Sequence, residues 1–200
     1  MKKIILSIVI LLTVLMTFVA CNKNNTPQQE KTVYETLNDL SNQNYDKVNL
    51  NITTLTNDTK LSAFYVMTAD EVSYSIEQLN LLPTDGDFSN LNPSYKSTIK
   101  GYATIANGKV VKMDNDNINL PAFEELKGQF IFNENYFTNV IVENGYFSAD
   151  VTSPSGFLGT NKDVRDMKIV VNYEDSALQK ITITYKTSIS DVTNEYTFTK

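Results

Sequence analysis

The hydrophobic positions of the chain follow three successive patterns. Residues 4–19 form one long apolar run, interrupted by three hydroxyl residues. Helical spacing comes next, because Val33, Leu37 and Leu40 recur at i, i+4 and i+7. From Tyr45 onward the period falls to two, which predicts β-strands. The pattern therefore predicts one helix near the start of a folded domain, followed by a large antiparallel sheet.

The predicted helix covers residues 32–44. Thr32, with Glu35 three positions later, matches a capping box and sets the helix start. A stripe of this kind most often covers a sheet, and the alternative is a helix that binds a partner. We expect the helix to pack on the sheet.

Strands are predicted in groups that are separated by turn residues. The predicted strands are residues 45–53, 61–68, 72–76, 95–106, 109–113, 129–132, 136–143, 146–151, 167–173, 178–187 and 192–199. Asn107-Gly108 and Asn144-Gly145 predict two tight hairpins. A polar loop is predicted at residues 83–94 and a short helical segment at 120–126.

The loop at residues 152–163 carries two apolar side chains, Phe157 and Leu158. These side chains either form a lid or pack into the core. Packing is favoured, because isolated apolar residues in loops usually contribute to the core.

The first twenty residues have the layout of a bacterial export signal. Two lysines precede the apolar run, and Ala20 supplies the small residue that a signal peptidase requires. Phe18-Val19-Ala20-Cys21 resembles the lipobox of bacterial lipoproteins and departs from it at Phe18, where leucine is usual. The resemblance implies cleavage before Cys21 and acylation of its thiol. An ordinary secretory signal and an uncleaved membrane helix are the alternatives.

The cysteine count favours acylation, since a lone cysteine in an exported chain forms no internal disulfide. The predicted organisation is a signal peptide at residues 1–20, a polar tether at 21–31 and a single α+β domain at 32–200. We expect the domain to be held by Cys21 on the extracytoplasmic face of a bacterial membrane, in the cell envelope.

Composition excludes several classes of function. The chain has no histidine, the most common general base and a frequent metal ligand, and acylation would consume its only thiol. Enzymes with Ser-His-Asp or Cys-His sites are excluded, and no metal or cofactor is expected. Removal of the signal, with its two lysines, takes the formal net charge from −6 to −8. Such a surface disfavours nucleic acid, so membrane contact should come from the anchor.

An acidic segment superficially resembles a calcium loop. Asp114, Asp116 and Glu125 match positions 1, 3 and 12 of an EF-hand. Ile118 and Asn119 fill positions that need an oxygen ligand and a glycine, so a solvated loop is the favoured interpretation.

Carboxylate-based hydrolysis is the remaining catalytic hypothesis. Glu124 with Glu125, and Asp163 with Asp166, are the pairs closest in sequence. Neighbouring side chains point in different directions, so adjacency does not support a matched acid and nucleophile. We assign no catalytic residue and expect a protein that is not an enzyme.

A curved sheet with a helix across it leaves an apolar concavity. Tyr74, Ile76, Ile183 and Tyr185 are the candidate ligand-binding residues there. The competing interpretation of these four residues is ordinary core packing, which is more frequent for such side chains.

The order of elements is similar to a known family. An anchored cysteine, a polar tether, a capped helix, a meander and a terminal ladder at residues 178–185 and 196–199 resemble the half-barrel lipoprotein carriers of the LolA/LolB and LppX/LprG type. The resemblance implies an N-terminal helix packed on a strongly curved antiparallel β-sheet. It also implies an apolar ligand such as a lipid or acyl chain. The alternative is a surface adhesin or an accessory subunit of an envelope complex, acting through protein contacts.

Overall fold

The structure is built on a single antiparallel sheet. The computed structural model describes residues 31–84, 87–115, 118–159 and 163–200, with the backbone alone for residues 82–95. The strands are β1 Lys47–Leu55, β2 Thr59–Met67, β3 Glu71–Thr84, β4 Asp87–Ala106, β5 Lys109–Met113, β6 Phe137–Glu143, β7 Tyr146–Val151, β8 Arg165–Glu174, β9 Ala177–Lys186 and β10 Asp191–Thr199. They lie in the order β5-β4-β3-β2-β1-β10-β9-β8-β7-β6, and within the described residues β5 and β6 are the edges.

The predicted meander and the predicted terminal ladder are both confirmed. β1, β2 and β3 are consecutive neighbours in the sheet, and so are β8, β9 and β10. The pairing of β1 with β10 joins them, so Leu50 lies between Tyr65 on β2 and Tyr196 on β10. This pairing of two strands that are distant in sequence joins the two halves of the sheet.

The two Asn-Gly hairpins are also confirmed. Asn107 and Gly108 both have positive φ, as a type I′ turn requires, and connect β4 to β5. In the turn from β6 to β7 Gly145 has a φ of 71°. A Cβ at position 145 would lie 2.7 Å from the carbonyl oxygen of Tyr173, so glycine is needed there for space as well.

The predicted polar loop at residues 83–94 is wrong. β3 and β4 continue through it as a long hairpin, in which Leu82 pairs with Asn92 and Pro83 with Leu91. Two register shifts interrupt the ladder. A two-stranded ribbon satisfies its backbone groups pairwise, so strands can extend here without an alternating apolar pattern.

The predicted strand at residues 129–132 is also wrong. Its backbone is bound by side chains of a helix instead of by another strand. Ser41 Oγ accepts a hydrogen bond from Phe130 N over 3.0 Å, and Asn38 Oδ1 accepts one from Phe132 N over 2.9 Å. Asn38 Nδ2 donates to the oxygen of Phe132 over 2.6 Å. The segment therefore runs along the helix as an extended connection.

Within the described residues, three short helices lie beside the sheet. They are α1 Val33–Ser41, α2 Phe123–Leu126 and α3 Pro154–Leu158, and a 3-10 turn occupies Glu134–Tyr136. α1 is shorter than the predicted range of residues 32–44, and it buries Leu37 and Leu40. α3 lies in the predicted loop at 152–163, where Pro154 opens a turn that the left-handed Gly159 closes.

The buried side chains lie on one face of the sheet, which we call the inner face. Along β10, Val192, Asn194, Tyr196 and Phe198 are buried and alternate with exposed or half-buried residues. Leu37 and Leu40 of α1 belong to the same hydrophobic cluster as Tyr196 and Phe198 of this strand. The chain from Val33 to Lys200 forms one compact unit.

Five phenylalanines form an aromatic cluster within the core. Phe130, Phe132, Phe137, Phe147 and Phe157 pack with ring centroids 5.0 to 6.1 Å apart, in stacked and edge-on pairs. Phe157 has no exposed surface, so its predicted packing into the core is confirmed.

Candidate functional site

The four residues predicted to line a concavity share the inner face but are not neighbours. Tyr74 and Ile76 lie on β3, Ile183 and Tyr185 lie on β9, and three strands separate them. One row of the register runs Ile76, Ala63, Ile52, Asn194, Ile183. Its four strand spacings span about 19 Å. Tyr74 and Ile183 are buried, while Ile76 and Tyr185 pack on the core with part of their surface exposed.

A hydrogen bond fixes the hydroxyl group of Tyr74. Its hydroxyl donates to Asp114 Oδ1 over 2.7 Å. Burial, this hydrogen bond and the carboxylate charge raise the pKa of Tyr74 to about 12, and the hydrogen bond lowers the pKa of Asp114. A Cβ on Gly101 would lie 2.5 Å from the Tyr74 hydroxyl oxygen. Asp114, the first position of the calcium loop considered above, thus contacts Tyr74, and the third position, Asp116, lies outside the described residues.

The negative charge of Glu125 on α2 raises the pKa of three other tyrosines. Burial is the main cause that raises the pKa of Tyr65, Tyr185 and Tyr196, and the Glu125 carboxylate adds to each rise. The hydroxyl oxygen of Tyr196 and Oδ1 of Asn194 are buried without a hydrogen-bond partner among the described residues. Glu125 therefore connects α2 electrostatically to the middle of the inner face.

Replacing Glu125 with glutamine is expected to lower the pKa of Tyr185. The substitution removes the carboxylate charge, one of the two influences that raise this pKa. Tyr185 keeps exposed surface, so it can titrate while the domain stays folded. Carbon-13 NMR of the tyrosine ring carbons across the alkaline range measures the shift.

The neighbouring and exposed Glu124 is the matched control. Glu124→Gln should leave the titration of Tyr185 nearly unchanged. Equal shifts in the two variants, or no shift in Glu125→Gln, would contradict the electrostatic contact.

A cavity of about 500 Å³ opens among the three helices. It is lined by Asn38, Asn42, Ala122, Glu124, Glu125, Gln129, Phe130, Ile131, Phe157, Leu158 and Gly159. None of the four residues predicted from the sequence lines it. α1 positions one wall, because its Asn38 and Ser41 side chains bind the extended segment that carries Phe130. We call this space the interhelical cavity.

The lining of the interhelical cavity combines apolar and polar side chains. Phe130 and Phe157 stack with centroids 5.0 Å apart and ring planes 18° apart. The polar lining consists of three amides and two carboxylates, and no lysine or arginine is among the described lining residues. An apolar ligand could bury its chain on Ile131 and Leu158, which retain exposed surface at the cavity, and keep a polar end among these side chains.

A second cavity, of about 800 Å³, lies at one end of β7 to β10. Four of its charged side chains form two ion pairs, with Lys168 Nζ 3.4 Å from Asp150 Oδ1 and Lys186 Nζ 3.9 Å from Asp166 Oδ2. Tyr185 is among its lining residues. Paired charges at an exposed surface provide little binding energy, so the interhelical cavity is the better candidate.

Within the described residues, no helix combines the length and apolar content needed to cross a bilayer. No group of three or more His, Cys, Asp or Glu side chains in that part of the chain is placed to hold a metal ion. Cys21, the predicted acylation site, lies outside the described residues.

The sequence singles out Glu124, Glu125, Phe157 and Leu158 for other reasons, but it does not indicate that they line one cavity. The contribution of α1, through Asn38 and Asn42, was missed entirely. Polar residues on a predicted amphipathic helix suggest a solvated face, and no local signal marks them as a cavity wall. Comparison of the chain with protein-family models and with curated proteins found no match.

Proposed function

We propose that this chain is a noncatalytic lipoprotein of the bacterial cell envelope, anchored through Cys21, whose extracytoplasmic domain binds a lipid or another apolar ligand. The observation that supports this function best is the interhelical cavity. Its volume of about 500 Å³ lies within the range of roughly 300–1,000 Å³ that is usual for small-molecule sites. Its exposed Ile131 and partly exposed Leu158 supply the apolar surface such a ligand needs.

The proposed binding site lies among the helices, whereas the sequence predicts a site on the concave face of the sheet. The sequence suggested Tyr74, Ile76, Ile183 and Tyr185, but two of these are buried and one is hydrogen-bonded to Asp114. The phenylalanine cluster fills the space next to β6 and β7, so a ligand finds more room between α1, α2 and α3.

The proposal includes a half-barrel architecture, with the sheet strongly curved and α1 against its inner face. Support comes from Leu37 and Leu40, which share one core with Leu50 of β1. The open order of strands, with β5 and β6 as edges among the described residues, is also compatible with a half-barrel.

Filling the interhelical cavity is expected to block binding. Ala122 is exposed at the cavity, so Ala122→Phe can place a ring in the opening without disturbing the core. We expect this variant to bind the neutral apolar probe N-phenyl-1-naphthylamine at least about tenfold more weakly, a change of about 1.4 kcal/mol. Titration of probe fluorescence measures the loss.

Val111→Phe is the matched control, because Val111 is an exposed apolar residue on β5. It adds a ring without touching the cavity and should bind like the wild type. Equal binding by both variants would place the site elsewhere. Failure of the wild-type domain to bind the probe, and of solvent extracts from native protein to contain an apolar ligand by mass spectrometry, would refute the proposed function.

The proposed acylation of Cys21 can be tested separately from ligand binding. Cells grown with a radiolabelled fatty acid are expected to label the wild-type protein, and Cys21→Ser is expected to abolish the label, because the chain has no other thiol. A label that persists in the serine variant, or a wild-type protein that takes up none, would overturn the assignment of Cys21.

A surface interaction protein is the second candidate function, and the edge strand β6 favours it. Val140, Ile141 and Val142 are 38 to 53% exposed on this strand, and an exposed apolar edge can pair with another chain. If a protein partner binds there, Ile141→Lys should abolish a specific crosslink on cells that Val111→Lys, on the opposite edge, leaves intact. Identical crosslinking patterns in both variants would eliminate this candidate.

A further inference from the structure

We infer that this chain associates with further copies of itself through the two edges of its sheet, with β6 of one copy pairing antiparallel with β5 of the next. The inference goes beyond ligand binding and gives a role to both edge strands. It rests on the directions of these strands, on their exposed apolar side chains, and on one register that matches their backbone groups, faces and charges.

The two edge strands run in opposite directions. The sheet has ten strands among the described residues, and every neighbouring pair is antiparallel. β5 and β6 are the first and the last strand of this alternating order, so they point opposite ways. A second copy in the same orientation therefore presents its β5 antiparallel to β6, with its inner face on the same side of the joined sheet.

Exposed apolar side chains are concentrated on the two edge strands. Of the eleven exposed large hydrophobic residues in the described chain, five lie on β5 or β6. These five are Val110, Val111, Val140, Ile141 and Val142. Within the described residues β5 pairs only with β4 and β6 only with β7, so each has an open edge. An open edge with apolar side chains readily accepts another strand.

The tight turns beside the edge strands determine which backbone groups face outward. In a hairpin with a two-residue turn, the residues that flank the turn hydrogen-bond to each other, and the next pair directs its N–H and C=O groups away from the partner strand. Lys109 and Glu143 flank the two Asn-Gly turns, and Val110 and Val142 are the next residues. The backbone groups of both valines therefore face the open edges. Pairing Val110 of one copy with Val142 of another satisfies them.

The side chains of Val110 and Val142 lie on the same face of the sheet. Val110 is directly opposite the buried Ile105, and Val142 is directly opposite the buried Phe147. Because residues directly opposite each other share a face, both valines lie on the inner face. In the joined sheet the two valines cover each other, and the inner face continues from one copy to the next.

Charge complementarity identifies a second copy as the occupant of each edge. With Val110 opposite Val142, the exposed Lys109 of one copy lies opposite the exposed Glu143 of the other, and opposite charges at such positions attract. Neither residue belongs to the ion pairs of the described residues. Pairing β6 with β6 through Val142, or β5 with β5 through Val110, places an apolar side chain opposite the charge instead. Because β5 and β6 are different surfaces, their contact can repeat and form a row of copies.

Engineered cysteines in the full-length chain test the register. Lys109→Cys and Glu143→Cys are made in separate chains with different tags, expressed together in cells and oxidised with copper phenanthroline. We expect a disulfide-linked dimer with one chain of each kind, because Cα atoms of such a non-hydrogen-bonded pair lie about 4.5 Å apart, within disulfide range. The wild-type chain, whose only cysteine is Cys21, gives the background, and each single variant alone should stay at that background.

Lys112→Cys is the matched control for the register. Lys112 is also an exposed lysine of β5, but it lies three residues, about 10 Å, further along the strand. Expressed with Glu143→Cys, it should give at least about tenfold less dimer than Lys109→Cys, because its thiol lies out of disulfide range.

Charge reversal provides a second measurement. In sedimentation of the full-length chain in mild detergent, Lys109→Glu and Glu143→Lys should each weaken self-association at least about threefold. A chain with both changes should associate like the wild type, since the attraction is restored with the charges exchanged. Circular dichroism checks the fold of each variant.

Each contrary result would overturn the inference without affecting ligand binding in the interhelical cavity. Equal dimer yields from Lys112→Cys and Lys109→Cys, no dimer above background, or charge reversals without effect would contradict the register. Efficient crosslinking of Glu143→Cys chains to each other would indicate a symmetric β6 contact instead. A crosslink on cells that Ile141→Lys abolishes and Val111→Lys leaves intact would identify a different protein as the occupant of β6.

Discussion

Replacing Phe157 with alanine is expected to lower the free energy of unfolding by about 3–5 kcal/mol. The side chain has no exposed surface, and its ring centroid lies 5.0 to 5.7 Å from those of Phe130, Phe132 and Phe137. Removing it opens a void where the 3-10 turn, α3 and β6 meet, which neighbours that already pack closely can fill only in part. Urea denaturation followed by circular dichroism measures the change.

Phe64→Ala is the matched control for this loss. Phe64 lies on β2 with 44% of its surface exposed, on the face opposite to the buried residues. Its removal should cost less than about 1 kcal/mol. Losses of similar size in the two variants would show that the phenylalanine cluster is not the centre of the core.

Raising the pH above 10 is expected to destabilise the domain progressively and to unfold it as the pH approaches about 12. Burial raises the pKa of Tyr196 well above its ordinary value of 10, and burial together with Asp114 raises the pKa of Tyr74 to about 12. Because the folded state favours the protonated phenols, their contribution to stability is complete below pH 10. It is lost as the pH rises from the pKa of the unfolded chain toward the raised values.

Absorbance of tyrosinate at 295 nm and far-ultraviolet circular dichroism, recorded together, test this expectation. The buried phenols should ionise in the same pH range in which the sheet signal disappears. Tyr196→Phe should move the transition to higher pH, because it removes one group that ionises on unfolding and a hydroxyl oxygen without a described partner.

Tyr102→Phe is the control for the alkaline transition, since Tyr102 is half exposed and its removal should leave the midpoint unchanged. A circular dichroism spectrum that stays native to pH 12 while all tyrosines ionise would contradict the assignment of Tyr74 and Tyr196 to the core.

Much of the sheet could be predicted from patterns among residues that are close in sequence. Alternation along β10 and the Asn107-Gly108 turn each depend on residues that are close in sequence, so their conformations could be inferred directly. The extended segment at residues 129–132 has the same local pattern as a strand. It is not one, because side chains about 90 positions earlier, on α1, take its hydrogen bonds.

The candidate site, like the sheet, could be predicted only in part from residues that are close in sequence. Phe157 could be assigned to the core from its apolar character, and Glu124 with Glu125 could be noticed as a pair. That they face one space with Asn38 depends on the packing of three short helices, and no spacing along the chain reports it.

The sequence by itself determined most of the antiparallel strands and the two Asn-Gly turns, because backbone preference and side-chain alternation act between near neighbours. Acylation at Cys21 stays a prediction. Only the tertiary structure decided that β1 pairs with β10 and that the cavity lies among the helices instead of on the sheet. Both depend on contacts between residues that are distant in sequence, and those contacts are selected by the packing of the whole core.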